Sequence, residues 1–314
     1  MAYNLKEYAK KPERLAPGHR MCAGCGAPPV VRAVMRALHP EDHAVIASAT
    51  GCLEVCTYIY PYTAWEDSFI HSAFENSGAT ISGVEAAYTA FKRKNTLNTD
   101  KNTKFIAFGG DGGTYDIGFQ SLSGAMERGH DIAYFCYDNE AYMNTGVQRS
   151  SATPKYADTT TTPAGKVRPG KLQFRKDLTR VMAEHHLPYV AQTACFGNFS
   201  DITTKAEKAI YTEGPCFVNC LAPCPTGWKY NSADLMTLNK LAVETRFWPL
   251  YEVEDGKFNI TYIPKETVPV SEFLKPQKRF KHLFVPGNEH LIEEIQADVD
   301  KRWNELLELA NLNK

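Results

Sequence analysis

The sequence predicts an α/β protein built on a doubly wound, mostly parallel sheet. Short apolar runs of strand length alternate with amphipathic segments of helix length, the pattern of a parallel sheet covered by helices. Two of those runs end in oxygen-bearing side chains. Phe105-Ile106-Ala107-Phe108 leads into Gly110-Asp111-Gly112-Gly113, and Ile132-Ala133-Tyr134-Phe135-Cys136-Tyr137 leads into Asp138-Asn139. With a helix-length segment between them, a carboxylate and a carboxamide meet at the carboxyl edge of the sheet, where doubly wound folds take their ligands.

Strands are expected at Ala44–Ala49, Lys104–Phe108, Ile132–Tyr137, Tyr189–Thr193 and Cys216–Leu221, each a short run of apolar residues. Helices are expected at Pro29–Leu38, Gly78–Lys92, Gly118–Arg128, Phe174–His185 and Asp201–Thr212. Asn76 or Ser77 is positioned to cap the second of these and Ser200 the last, because a short polar side chain can take the free N–H groups of a first turn. Ser150–Gly170, rich in Thr, Pro and Gly, reads as a long ordered loop, a length that compact domains use for function. Beyond Trp248 the pattern becomes irregular. The basic run Lys275–His282 reads as a solvated linker. Glu289–Leu309 reads as an amphipathic helix with Leu291, Ile295, Val299, Trp303, Leu306 and Leu307 at helical spacing. The expected organisation is a ligand-binding domain over residues 1–246 and a C-terminal extended arm and helix over 247–314, packing on that domain or on a partner subunit.

The net charge of −1 gives no electrostatic footprint for nucleic acid. No apolar run approaches the roughly 18 residues of a membrane span, and the polar N-terminus does not resemble a signal peptide. A cytoplasmic chain without a membrane or nucleic-acid partner is expected. Nine cysteines in such a setting are not a disulfide framework. Cys136, Cys195, Cys216 and Cys220 lie in apolar runs and read as small buried hydrophobes. Cys22, Cys25, Cys52 and Cys224 lie in turn-like segments near Gly or Pro.

Glycines let a backbone approach a phosphate closely, and the N–H groups of a helix start favour anions. Asp111 supplies the hard carboxylate that Mg²⁺ prefers. Asn139, 28 positions on, supplies an amide oxygen, and a backbone carbonyl just beyond it can complete the protein ligands of a diphosphate-bound metal.

At these residues the sequence resembles the thiamine diphosphate motif, Gly-Asp-Gly followed by a distant Asn. Residues 109–150, together with GHRMCAGCGAP (18–28), ATGCLEV (49–55), YPYTAW (60–65), FENSGATISGVEAA (74–87), TPAGK (162–166) and LAPCPTGW (221–228), are similar to the β subunit of 2-oxoacid:ferredoxin oxidoreductases of the pyruvate type. The resemblance covers about residues 15–230 and implies a thiamine-diphosphate-binding fold. It implies that Thr50, Gly51, Gly110, Asp111, Gly112, Gly113, Asn139, Ala141, Asn144 and Thr145 line the cofactor. Mg²⁺ would be held by Asp111, Asn139 and the Ala141 carbonyl, and Asn144 would be the catalytic amide that hydrogen-bonds substrate.

Four thiolates at Cys22, Cys25, Cys52 and Cys224 can hold zinc or an iron–sulfur cluster, and spacing alone does not choose. Cys52 follows a strand that ends on the same sheet edge as Asp111. An electron carrier beside a carbanion-forming cofactor makes chemical sense, whereas zinc does not. The resemblance implies one 4Fe–4S cluster on these four cysteines, with Cys56 and Cys220 as decoys.

The implied reaction is oxidative decarboxylation of a small 2-oxoacid, pyruvate with coenzyme A or oxalate without it, with electrons passed to ferredoxin. The resemblance points away from branched-chain and aryl substrates, whose β subunits look shorter and lack this arm. The glutamate that activates thiamine is missing: Glu54, Glu75 and Glu85 have no clear claim to it. It is expected on a partner chain carrying the pyrimidine-binding domain, and a ferredoxin-like chain is expected as a further subunit. A non-redox thiamine decarboxylase or carboligase subunit, and a structural zinc protein that binds a nucleotide, are the alternative readings.

Overall fold

A computed structural model describes residues 4–59, 62–97, 99 and 101–311; Tyr60 and Pro61 of the 60–65 segment lie outside the described residues. In chain order the elements begin with helices α1 (Leu5–Lys10) and α2 (Ala27–Ala37), strand β1 (His43–Ala49) and helix α3 (Cys52–Thr57). The short pair β2 (Tyr58–Ile59) and β3 (Tyr62–Thr63), strand β4 (Ser68–Ser72), helix α4 (Ser77–Arg93) and strand β5 (Thr103–Gly110) follow. A π-helical turn, Gly112–Ile117, then leads into α5 (Phe119–Glu127), β6 (Ala133–Asp138), α6 (Leu178–Ala183), β7 (Tyr189–Ala194), α7 (Ser200–Tyr211) and β8 (Cys216–Leu221). Last come α8 (Pro225–Trp228), α9 (Leu235–Glu244), β9 (Leu250–Glu254), β10 (Lys257–Tyr262), α10 (Val270–Leu274) and α11 (Glu289–Asn311).

Eight strands form one sheet in the order β10-β9-β7-β8-β6-β5-β1-β4. The six from β7 to β4 are parallel; β9 runs antiparallel to β7, and β10 antiparallel to β9. The five parallel strands inside the sheet are buried on both faces, which is why they read as nearly unbroken apolar runs, whereas the edge strand β4 is partly exposed. Ile106 and Phe108 point to the layer of α2 and α7, while Phe105 and Ala107 point to the layer of α4, α5, α6 and α11. None of the helices among the described residues is long and apolar enough to cross a membrane.

Several expectations change in place. The edge strand β4 is absent from the sequence reading because Ser68, His71 and Ser72 dilute its apolar character. The helix expected from Phe174 begins only at Leu178, since the Asp177 side chain caps it by accepting from the Arg180 amide at 3.2 Å. Ser200 is the first residue inside α7 rather than its cap, and the Asn76 side chain makes no capping bond on α4. The segment after Phe247 is not merely an arm. It adds β9 and β10 to the sheet, so the expected boundary at 246/247 falls within one continuous sheet. The basic run is solvated only in part: Lys275, Lys278 and Lys281 are exposed, but Gln277, Arg279 and Phe280 between them are buried. The four cysteines read as small hydrophobes, Cys136, Cys195, Cys216 and Cys220, are all buried in the core.

Candidate active site

β1 and β5 are hydrogen-bonded neighbours, yet the chain leaves β1 toward β4 on one side and β5 toward β6 on the other. The crevice of a doubly wound sheet opens at such a switch point, beyond the carboxyl ends of the strands. Here it is lined by Thr50-Gly51-Cys52 after β1, Gly110-Asp111-Gly112-Gly113 after β5, and Asn139-Glu140-Ala141 after β6. The glycines have steric work to do. A Cβ on Gly113 would lie 2.9 Å from the Phe74 carbonyl oxygen, and one on Gly51 would lie 2.8 Å from the Tyr137 hydroxyl. The π-helical turn that starts at Gly112 is a distortion common at functional sites.

Asp111 is fully buried. Its Oδ2 accepts from the Ser150 hydroxyl at 2.5 Å and its Oδ1 from the Asn139 amide at 3.2 Å. Burial pushes this carboxyl well up, the neighbouring Asp138 adds to the effect, and the two hydrogen bonds only oppose it.

The turn after β6 leaves few backbone groups open. The Asp138 carbonyl accepts from the Ala222 amide at 2.8 Å and the Asn139 carbonyl from the Trp228 indole N–H at 2.8 Å. The Glu140 amide donates to Asp138 Oδ1 at 3.0 Å, and the Glu140 carbonyl accepts from Thr153 Oγ1 at 2.7 Å. What remains is aimed at Asp111. One terminal atom of the Asn139 side-chain amide lies 2.8 Å from Asp111 Oδ1 and 2.8 Å from the Ala141 carbonyl oxygen. With no cation present this atom is the amide nitrogen, donating to both oxygens. Turned over, the amide presents its oxygen, and three oxygens form a triangular face. Adjacent ligand oxygens around octahedral Mg²⁺ stand about 2.9 Å apart, so the residues fit that ion.

The four sequence-predicted cysteines are neighbours, near enough for Cys22, Cys52 and Cys224 each to act on the Cys25 thiol. The Cys25 amide closes a turn on the Cys22 carbonyl at 3.1 Å, and Gly26 N donates to Pro223 O at 2.8 Å, beside Cys224. Tyr230 Oη ties Gly24 O and Pro223 O together at 2.6 and 3.1 Å, and Gly24, at φ +77°, leaves no room for a Cβ against Ser232. Burial pushes the Cys25 thiol up to about 12, and the charges of Cys224, Cys52 and Cys22 act on it in the same direction. Cys52 is likewise pushed up to about 12 by burial, with Cys224, Cys56 and Cys22 adding to it. Among the described residues no three His, Cys, Asp or Glu side chains close around one ion. The oxygen face contains a single carboxylate, which accounts for its absence from such a group.

Asn144 and Thr145 stand exposed on a turn closed by the Tyr142–Gln148 bridge, with the Thr145 hydroxyl bonded to Gln148 Oε1 at 2.9 Å. Thr50 uses its hydroxyl on the Ser72 carbonyl at 3.1 Å. On that rim two buried polar atoms, Ser72 Oγ and Asn76 Oδ1, have no partner among the described residues. His71 Nδ1 lies 3.1 Å from Glu54 Oε1, so these two side chains pair with each other.

Sequence reasoning missed a buried charged group beneath the oxygen face. Arg175 Nη2 donates to Asp138 Oδ2 at 2.7 Å and Arg175 Nη1 to Glu140 Oε1 at 2.9 Å. Tyr115 Oη donates to Asp138 Oδ2 at 2.6 Å, and Arg279 Nη2 donates to Glu140 Oε2. The available signal was the run Asp138-Asn139-Glu140 straight after an all-apolar strand, since buried carboxylates require cations.

A family profile, thiamine pyrophosphate enzyme, C-terminal TPP binding domain, matches residues 49–220. Pyruvate synthase subunit PorB of Thermotoga maritima is 50% identical over 320 residues, which cover 100% of this chain and 98% of that one. Ketoisovalerate oxidoreductase subunit VorB of Pyrococcus furiosus is 40% identical, covering 98% of each. That second relative spans the C-terminal segment, so the presence of this segment does not exclude branched-chain substrates. Among solved structures, the 2-oxoglutarate:ferredoxin oxidoreductase from Magnetococcus marinus superposes with a TM-score of 0.55 at 21% identity, over 71% of this chain and 69% of that one. This likeness is one of fold.

Proposed function

We propose, from the premise that this chain belongs to the 2-oxoacid:ferredoxin oxidoreductase β subunits and carries their thiamine pyrophosphate-binding domain, that it holds thiamine diphosphate through Mg²⁺ and one 4Fe–4S cluster in the oxidative decarboxylation of a small 2-oxoacid. The observation that carries the reading is the oxygen face of Asp111, Asn139 and Ala141 at the switch point of the sheet. Bound there, the cofactor supplies the carbanion chemistry that removal of CO₂ from a 2-oxoacid needs.

This chain's own residues would divide the work. Asp111 offers the charge and the Asn139 and Ala141 oxygens the geometry for the metal; Gly110, Gly112 and Gly113 let the diphosphate approach the backbone. Thr50 and Gly51 form the opposite wall, beside Cys52. Asn144 and Thr145, exposed on their turn, are placed to meet substrate or a partner chain. Cys22, Cys25, Cys52 and Cys224 would hold the cluster. An electron carrier beside a carbanion-forming cofactor has a chemical role that a zinc ion lacks, which supports the cluster over zinc. Burial keeps free thiols protonated, so loading a metal centre there displaces protons.

Pyruvate is the proposed substrate, on the support of a full-length relative named pyruvate synthase subunit. That relative is named as a subunit, which supports partner chains; one of them would supply the activating glutamate, and ferredoxin would accept the electrons. The test is anaerobic purification of the complex from its source. Iron, sulfide and thiamine are measured, then viologen reduction with pyruvate plus coenzyme A, with a branched-chain 2-oxoacid, and with oxalate alone. Dye reduction with pyruvate that requires Mg²⁺ and thiamine diphosphate supports the reading. Zinc without iron overturns the cluster, and turnover of oxalate or a branched-chain acid in preference overturns the substrate.

A further inference from the structure

We propose that Arg279 is a positioning residue for the cation ligands: with Arg175 it grips the Glu140 carboxylate and so holds the turn whose flanking residues, Asn139 and Ala141, face Asp111. The inference rests on the reading of those three residues as cation ligands.

Glu140 is fully buried and adopts φ +67°, a left-handed conformation that a residue with a side chain rarely takes. It stands between Asn139, which presents its side chain to Asp111, and Ala141, which presents its main-chain oxygen. The reversal at Glu140 lets successive residues offer a side chain and a carbonyl to one point. Backbone strain of this kind persists where surrounding contacts over-determine it. The contacts here are the two guanidiniums, one on each carboxylate oxygen: Arg175 Nη1 on Oε1 at 2.9 Å and Arg279 Nη2 on Oε2.

Arg279 is itself tightly held. It is 2% exposed, and its Nε and Nη2 donate to Gln277 Oε1 at 2.9 and 2.7 Å. Its guanidinium lies 4.0 Å over the Trp228 ring. Trp228 in turn donates its indole N–H to the Asn139 carbonyl at 2.8 Å, and its amide bonds the Cys224 carbonyl at 2.9 Å. One side chain from the tail thus contacts both the turn of the oxygen face and the helix opened by Cys224. The charge also matters. Asp111, Asp138 and Glu140 are three buried carboxylates at one sheet edge, and Arg175 and Arg279 neutralise two of them, leaving Asp111 to the metal. A guanidinium fork suits this; an ammonium would supply charge without the planar contact to Trp228.

The experiment uses the assembled complex, stripped of divalent metal and titrated with Mg²⁺ at saturating thiamine diphosphate. Retained thiamine is read by equilibrium dialysis and turnover by dye reduction. Arg279→Gln and Glu140→Gln are each expected to raise the Mg²⁺ concentration for half-saturation roughly 10–100-fold, the usual effect of losing an outer partner of a metal ligand. Turnover at saturating Mg²⁺ and iron content stay near wild type, while the melting temperature falls in both variants because each leaves a buried charge short of its partner. Arg279→Lys restores part of the loss. Asp111→Asn serves as the reference. If Asp111→Asn keeps wild-type Mg²⁺ dependence, the cation-site reading itself fails. If Asp111→Asn loses it while Arg279→Gln and Glu140→Gln keep the wild-type half-saturation, only the positioning role is overturned. Should Arg279→Gln fail to assemble, Glu140→Gln, which keeps the shape and removes the charge, decides alone.

Discussion

Lys171 shows how single residues beneath the oxygen face are set by burial. Its ammonium group lies among main-chain oxygens, donating to Ser151 O at 3.2 Å and Thr153 O at 2.5 Å, on the same loop that supplies Ser150 to Asp111. Burial lowers this lysine to about 7, and Arg149 and Arg175 push the same way. An unfolded lysine titrates near about 10.4, so between these values the unfolded chain binds the extra proton and stability rises with pH; below about 7 both states are charged and the dependence vanishes. The melting temperature of the wild type is therefore expected to gain more between pH 7 and 9 than that of Lys171→Met. Parallel curves for the two would remove Lys171 from the account. Gly113 makes a second case. Its added Cβ would meet the Phe74 carbonyl at 2.9 Å, and main chain cannot swing aside as a side-chain tip can. Gly113→Ala is expected to cost roughly 1–3 kcal/mol of stability in urea unfolding and to weaken thiamine retention; a neutral result would show that the 73–75 loop yields freely.

The C-terminal helix illustrates what an element adds. The apolar positions of α11 were legible from their spacing, and Leu291, Ile295, Val299, Trp303 and Leu306 are indeed its buried residues. The layer it would join was not legible. Trp303 and Leu306 pack on α6 and the sheet, and the Arg246 guanidinium lies 5.1 Å over the Trp303 ring. Trp303→Ala is expected to cost about 3–5 kcal/mol, the range for removing a buried aromatic. A loss below about 0.5 kcal/mol, typical of surface positions, would mean that α11 merely rests on the domain. The basic run before it was misread because lysines and arginines usually belong in water. Arg279 is the exception: its partners, Glu140 and Trp228, lie 139 and 51 positions earlier, too distant for any local pattern to announce them.

On the proposed reading, the molecule as a whole supplies half of a thiamine site. The glutamates considered for activating the cofactor are engaged or exposed: Glu54 pairs with His71, Glu85 with His130, and Glu75 lies on the surface. Ser72 Oγ and Asn76 Oδ1 on the rim have no partner among the described residues, and Asn144 is exposed. The isolated chain, given thiamine diphosphate, Mg²⁺ and pyruvate, is expected to reduce no viologen, and activity to return only with its partner chains. Turnover by the chain alone would overturn this division of the site.

The sequence by itself determined the parallel core strands, the placing of Asp111 and Asn139 at one sheet edge, and the singling out of four cysteines near Gly or Pro, two of which open helices. These are local facts: an apolar run long enough to be a strand, glycines where the chain passes too close to its neighbours for a Cβ, and polar residues at the ends of strands. Only the tertiary structure decided that the tail completes the sheet and that Arg175 and Arg279 close on Glu140. It also decided that the Asn139 amide and the Ala141 carbonyl turn together toward Asp111. Those outcomes depend on charges brought out of water by chain segments far apart in sequence. Their cost and compensation exist only once the core has formed around them.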